Sequence, residues 1–274
     1  MTAQPRLIAF IGAGNMTQSI VAGMVQNGYP ANYITVSNPS LGKLERLQQQ
    51  FGVNINQDNI VAACNADVVV LAVKPQRMAA VCQQLQTNLP NLADKLIISI
   101  AAGIRLAKYQ DYLGASRIIR VMPNTPSLVG QGMTGLVKLA ATTAADGEFA
   151  TSIFDRVGKT LWLDDEDQMD ILSALAGSGP AYFFEFMAGL QKAAVSLGFN
   201  ADQARILVNQ TALGAAAMAS ASELELADLR AQVTSKGGST AKGIEVYQAA
   251  DIDFISEQAL RAAVLRNQEM AKLF

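Results

Sequence analysis

The segment Asp67-Val-Val-Val-Leu-Ala-Val73 constrains this chain more than any other. It is almost wholly apolar and rich in β-branched residues, without the polar alternation of a half-exposed strand. Only the middle of a parallel sheet, covered by helices on both faces, gives such a strand a home. Neighbouring segments supply the rest of that architecture. Leu7–Ile11 reads as a short apolar strand ending at glycine, and Asn15–Asn27 carries Met16, Ile20, Val21, Met24 and Val25 at helical spacing. A second strand is expected at Tyr33–Val36, with an amphipathic helix over Leu41–Phe51. Gln76–Leu89 should be helical, and Lys95–Ser99, Arg117–Val121, Gly135–Lys138 and Thr160–Leu163 should be further strands. Alternation of this kind predicts an α/β fold, a Rossmann-type doubly wound sheet built from right-handed βαβ units.

The character changes after Asp164. An acidic run, Asp164-Asp-Glu-Asp167, leads into sequence rich in Ala, Leu and Gln. Helices are expected over Gln168–Ala176, Ala181–Leu197, Ala201–Ala221, Leu224–Gln232, Thr240–Ala249 and Phe254–Lys272. The expectation is a dinucleotide-binding domain over 1–164 and an all-α domain over 165–274. A length of 274 residues suits about two domains of ordinary size. The helix around Gln203–Ser222 is apolar over most of its circumference, with Ile206, Leu207, Leu213 and Met218, and a helical domain of ~110 residues cannot bury such helices alone. A homo-oligomer is therefore expected.

Composition excludes several classes. The net charge is −2, with 21 basic and 23 acidic residues and no basic run, so nucleic acid is not an expected partner. The apolar stretch Ile206–Met218 is broken by Asn209 and Gln210 and is too short to span a bilayer. Cys64 and Cys82 have no partner spacing and read as reduced core thiols of a cytoplasmic protein. The chain has no histidine, which removes His-based triads and His acid/base catalysis, and no metal site is expected.

Gly12-Ala-Gly14-Asn-Met16 lies at a strand-to-helix junction. Gly12 permits a tight turn, Gly14 lets the backbone approach a pyrophosphate, and the N–H groups of the following helix face that anion. Thr17 stands where the usual fingerprint has its third glycine. The second strand ends Val36-Ser-Asn-Pro-Ser40 with no carboxylate for a ribose 2′-hydroxyl. Ser37, Asn38 and Ser40 can instead donate to a 2′-phosphate, with Lys43 close behind. NADP is favoured over NAD on this reading, while NADH use stays open because no arginine clamp is visible. Val73-Lys-Pro-Gln76 and Arg120-Val-Met-Pro-Asn-Thr-Pro126 follow strands, where open α/β sheets bind ligands. Lys74 can reach a ribose or phosphate, or can be a solvated surface lysine. In the helical half, Thr234-Ser-Lys-Gly-Gly-Ser-Thr240 feeds a helix. The backbone N–H groups of Gly237, Gly238 and Ser239 there can cradle a carboxylate, and Thr240 sits in the first turn beside them.

Phe10–Met16, Ala72–Gln76, Arg120–Pro126, Gly177-Ser-Gly-Pro-Ala-Tyr182 and Val233–Thr240 together resemble the pyrroline-5-carboxylate reductase family. They occur in the family's order and span nearly the whole chain; the first is shared by many dehydrogenases, the last three are far more specific. Lys236 departs from the pattern, standing where members often carry proline. The resemblance implies a helical domain that interlocks with its copy in a dimer, and NADPH-dependent reduction of a cyclic imine to L-proline. By position, it implies cofactor contacts at Gly12, Ala13, Gly14, Asn15, Met16, Ser37, Asn38, Asn59, Val73, Lys74, Pro75, Ala101, Ala102 and Gly103. Substrate contacts are implied at Gly237, Gly238, Ser239, Thr240 and Glu166, with Thr240 as the catalytic residue.

Two rival readings are weaker. A β-hydroxyacid dehydrogenase would want a lysine base early in the helix that opens at Gly177–Tyr182, but Phe183, Phe184 and Glu185 stand there. A catalytically silent NADP sensor would need the nucleotide turns without the Thr234–Thr240 constellation.

Overall fold

A computed structural model describes residues 5–272. Eight strands form one sheet in the order β3-β2-β1-β4-β5-β6-β7-β8. They are β1 (Ile8–Ile11), β2 (Ile34–Ser37), β3 (Asn54–Asn56), β4 (Val68–Leu71), β5 (Leu96–Ser99), β6 (Ile118–Met122), β7 (Gly132–Lys138) and β8 (Gly158–Trp162). All neighbouring pairs are parallel except β6 and β7. The helices of this half are α1 (Asn15–Gln26), α2 (Leu41–Phe51), α3 (Asn59–Cys64), α4 (Pro75–Asn88), α5 (Leu106–Leu113), α6 (Ala144–Phe154) and α7 (Gln168–Leu172).

The period-2 geometry of the strands explains the unbroken apolar run of β4. Val68 and Val70 face one core with Ile8, Phe10, Ile34 and Val36, against Ile20, Met24, Leu44 and Leu47 of α1 and α2. Val69 and Leu71 face the other with Ala9, Ile11 and Ile97, against Met78, Cys82, Leu85, Tyr109 and Leu113 of α4 and α5. Every residue of β4 is buried. A strand with both faces covered cannot alternate with polar residues, and this one does not.

The chain divides into two compact units. Among the described residues, one comprises those up to Gly177 together with those from Ala263 onward; the other is Ser178–Ala262. The second holds α8 (Gly179–Ser196), α9 (Ala201–Ala221), α10 (Leu226–Gln232), α11 (Ser239–Ala249) and the first part of α12 (Ile252–Ala271). Within it, Asn200 caps α9 through a reciprocal capping box with Gln203, and Phe186 packs on Tyr247 with ring centroids 5.6 Å apart. α10, α11 and α12 contribute no buried residue. Phe183 is 71% exposed, Ile206 64% and Leu213 64%. Apolar area of this extent on single helices marks a surface made for association. Among the described residues, no helix is long and apolar enough to cross a membrane.

Two expectations need correction. Cys82 is buried as expected, but Cys64 is exposed, because it ends the short helix α3 rather than facing the core. The helix expected over Gln168–Ala176 ends at Leu172 and passes into a π-helical turn, Ser173–Gly177. Such turns insert a residue into the helical ladder and often stand at functional sites.

One buried charge cluster ties the amino-terminal segment to the sheet. The fully buried Asp146 carboxylate receives Arg117 through Nε at 3.0 Å and Nη2 at 2.7 Å, and Arg6 Nη1 at 2.7 Å. It also closes a capping box with Thr143 at the start of α6. Burial alone would raise its pKa, but hydrogen bonds from Arg117, Arg6 and Thr143 outweigh that and hold it well below the ordinary 3.8. A depressed carboxyl pKa stabilises the fold fully above the unfolded value and less as pH falls through and below it. Replacing Asp146 with Asn leaves two arginines without their counter-charge and should cost about 3 kcal/mol near neutrality. Calorimetric melting of both proteins should show their Tm gap narrowing as pH falls from about 5 toward 3; a gap independent of pH would contradict the role given to this carboxylate.

Candidate active site

In the first unit, the strand order reverses between β1 and β4, which are neighbours while their following helices cover opposite faces. In open α/β sheets a ligand crevice forms at this point, beyond the carboxyl ends of the strands. The segments that leave these strands carry the expected nucleotide residues. Gly12 follows β1 with φ +117°. A Cβ there would lie 2.6 Å from the Ala72 carbonyl oxygen beyond β4, so no other residue allows the two strand ends to come this close. Its N–H donates to Ser37 O at 2.7 Å, and Ala72 N–H donates to Ile11 O at 2.9 Å, prolonging the sheet pattern past the strands.

Gly14 is the N-cap of α1 and offers no side-chain cap, so the first-turn N–H groups of Asn15, Met16 and Thr17 have no such partner. A Cβ on Gly14 would meet nothing within 4 Å, and the residue is exposed. This is the cradle a pyrophosphate needs: bare amides, the positive end of a helix and no side chain in the way. The missing third glycine also finds its reason. Thr17 is buried, and its Oγ1 donates to Gly12 O at 2.8 Å, locking the turn from inside. The residues present therefore fit a dinucleotide.

The segment after β2 is built differently from expectation. Ser37 is fully buried, and its hydroxyl donates to Asn59 Oδ1 at 2.8 Å instead of facing outward. Asn59 in turn donates to Gln84 at 3.1 Å. Ser37 is thus a support for Asn59, because the last residue of a central strand points inward here. Asn38 stays half-buried with its amide on Ser40 O at 3.2 Å, and Ser40 and Lys43 are exposed at the start of α2. Val73 packs at the edge of the core, Lys74 is exposed at the N-cap of α4, and Pro75 opens that helix. Ala101, Ala102 and Gly103 form the turn after β5, with Gly103 at φ +80°.

Glu166 also lies in this unit. Its Oε1 receives both Arg120 Nη1 at 2.7 Å and Leu106 N–H at 2.8 Å, so this carboxylate oxygen is committed within the fold. Sequence reasoning gave Arg120 no role beyond its loop. The only available signal was a lone arginine inside an apolar strand.

The second unit carries the Thr234–Thr240 turn. Gly237 has φ +72°, and Gly238 is the N-cap of α11 without a side-chain cap. The N–H groups of Ser239, Thr240 and Ala241 are therefore free of one, and Ser239 and Thr240 are exposed. Gly238 contributes differently from expectation. Its N–H donates to Ser235 O at 3.0 Å, and a Cβ there would lie 2.3 Å from Ser235 Oγ. Gly238 makes the turn tight, and the amides left without a side-chain cap are those one residue further on.

Comparison with known proteins agrees with this architecture. Residues 166–270 match the family of pyrroline-5-carboxylate reductase dimerisation, and 7–103 match the family described as NADP oxidoreductase coenzyme F420-dependent. The pyrroline-5-carboxylate reductase of Vibrio alginolyticus is 49% identical over 97% of this chain and 98% of its own length. That of Pseudomonas aeruginosa is 46% identical over 97% of both. Among solved structures, a pyrroline-5-carboxylate reductase from Coxiella burnetii matches with a TM-score of 0.93 at 43% identity, covering 97% of this chain and 99% of that one. Plasmodium falciparum pyrroline carboxylate reductase with NADP bound matches at 0.85 and 28% identity, covering 97% and 98%. With close to half its residues shared along its whole length, the chain belongs to the pyrroline-5-carboxylate reductase family.

Proposed function

We propose that this protein is a nicotinamide-dependent reductase that transfers hydride to the imine carbon of 1-pyrroline-5-carboxylate and forms L-proline, the last step of proline biosynthesis. One observation carries the reading. A single chain holds an uncapped, side-chain-free helix start fit for a pyrophosphate at Gly14 and a second uncapped start fit for a carboxylate at Gly238. Few reactions need both.

The amides at the start of α1 hold the pyrophosphate, Val73–Pro75 and Ala101–Gly103 hold the nicotinamide half, and the start of α2 faces the adenosine ribose. Bound there, the dinucleotide supplies the hydride. The substrate is a protonated imine and already electrophilic, so the chain needs no histidine. Its task is mainly placement, which can lower a barrier by several kcal/mol. The amides of Ser239 and Thr240 fix the carboxylate, with Gly237 and Gly238 shaping the turn. The Thr240 hydroxyl hydrogen-bonds the ring nitrogen. The exposed apolar helices associate with a second copy. The two free cysteines suit a reducing compartment, and the cytoplasm is the proposed location. Purified protein should oxidise NADPH when 1-pyrroline-5-carboxylate is added; no oxidation by a folded sample would overturn the reading.

NADPH is the preferred donor on this reading, because no carboxylate stands after β2 and Asn38 offers amide hydrogens there. Replacing Asn38 with Asp puts a negative charge where a 2′-phosphate would lie. The ratio of kcat/KM for NADPH to that for NADH should fall by about ten-fold. An unchanged ratio would place the 2′-phosphate elsewhere.

A further inference from the structure

The segment from Ile100 to Arg105 joins β5 to α5 and has no regular structure. It carries Ala101, Ala102 and Gly103, and the last two line a cavity of about 270 Å³ with Pro75, Gln76, Arg120 and Met122. A loop in such a place must be held by something outside itself. At its start, Ser99 Oγ accepts the Ala101 N–H at 3.3 Å and donates to the buried Tyr109 phenol. At its end, Glu166 Oε1 accepts the N–H of Leu106, the first residue of α5. That helix has no side-chain cap of its own, since Arg105 holds the N-cap position, so Glu166 caps it from a distance of 60 residues along the chain.

The same oxygen binds Arg120 Nη1, whose side chain is 6% exposed, with Glu166 at 18%. Arg120 rises from β6 and forms part of the cavity wall that Ala102 and Gly103 also line. One carboxylate thus joins the end of the loop to a rigid central strand. The neighbouring Asp167 pairs with Arg105 at 2.7 Å, but both side chains are half exposed or more. Such a pair holds little, whereas the sheltered one leaves a buried arginine without its partner when broken. Two short hydrogen bonds occupy the lone pairs of Oε1, so this oxygen of Glu166 is tied to Leu106 and Arg120.

From this we infer that Glu166 is a positioning residue for the cofactor: through Oε1, with Arg120, it holds the Ala101–Gly103 loop in its binding shape. The inference rests on the function proposed above. A loop ordered in advance loses less entropy when the nicotinamide half binds, so the effect belongs in cofactor affinity.

Three variants test it. Glu166→Ala should raise the KM and the calorimetric Kd for NADPH about ten-fold, the worth of one charge-assisted hydrogen bond. The KM for 1-pyrroline-5-carboxylate at saturating NADPH should stay within about two-fold. Glu166→Gln keeps an oxygen for the Leu106 N–H but loses the charge facing Arg120, so its Kd for NADPH should lie between those of the parent and the alanine variant, about three-fold above the parent's with the imine's KM unmoved, and that rise carries the test alone if the alanine variant does not fold. Asp167→Ala should bind NADPH as the parent does. A rise confined to the imine's KM would make Glu166 a substrate ligand and overturn the inference, as would equal losses for both ligands or no change in either. If the parent protein fails to turn over the imine, the functional reading falls by itself, while NADPH calorimetry on the same proteins still decides the role of Glu166.

Discussion

Gly12→Ala should lose both cofactor binding and stability. Its Cβ would stand 2.6 Å from Ala72 O and 2.9 Å from Ala72 C, both backbone atoms of the neighbouring strand's exit. Nothing flexible can yield there, so β1 and β4 must part at their carboxyl ends. The φ of +117° adds strain for any residue with a Cβ. Together these should cost about 3 kcal/mol, or roughly a 10 °C fall in Tm for a domain of this size. The separated strand ends would carry the α1 amides out of register with the pyrophosphate, and the Kd for NADPH should rise by about 10²-fold or more. Gly14→Ala provides the contrast. Its Cβ meets no protein atom and φ is an ordinary −79°, so Tm should hold. The methyl group would nonetheless project from the helix start where the pyrophosphate is proposed to lie, and NADPH affinity should fall. Differential scanning calorimetry with titration calorimetry separates the two effects. Normal NADPH binding by Gly14→Ala would remove this turn from the cofactor site.

Thr240→Val should give the largest loss confined to chemistry. Thr240 is exposed in the first turn of α11 and supports no packing, so Tm should not move. Valine keeps the β-branched shape and deletes only the hydroxyl. If that hydroxyl bonds the ring nitrogen more strongly as the nitrogen changes from iminium to amine, kcat/KM should fall by about 10²-fold. NADPH affinity should stay as in the parent, since the residue faces the substrate. Steady-state kinetics with NADPH calorimetry reads both quantities, and near-parental turnover would exclude Thr240 from the mechanism.

How far these features were legible in the sequence depended on how local their causes are. β4 declared itself because burial on both faces leaves a run without polar residues, and the Gly12 turn did so because its constraint is conformational. The edge strand β3, Asn-Ile-Asn, gave no apolar signal; its place comes from register against Thr35–Ser37 of β2. α3 is six residues of mostly small side chains, too short for a helical period to show. α5 and α6 had readable punctuation. Leu106, Tyr109 and Leu113 fall on one face before Gly114, a left-handed C-cap, and Thr143 with Asp146 forms a capping box. Neither segment is among the helices expected from the sequence. The tasks of Ser37 and Glu166 were not legible at all, since each depends on a partner brought near by the sheet: Asn59 for one, Arg120 and Leu106 for the other. A side chain's chemistry is visible in sequence, but whether the fold has already spent it is not.

A crystal structure with NADP and L-proline bound addresses the central claim most directly. The pyrophosphate should lie on the amides that open α1 at Gly14, and the proline carboxylate should accept hydrogen bonds from the Ser239 and Thr240 amides with Thr240 Oγ1 at the ring nitrogen. A carboxylate held away from the Gly237 turn would contradict the account, wherever the dinucleotide lay.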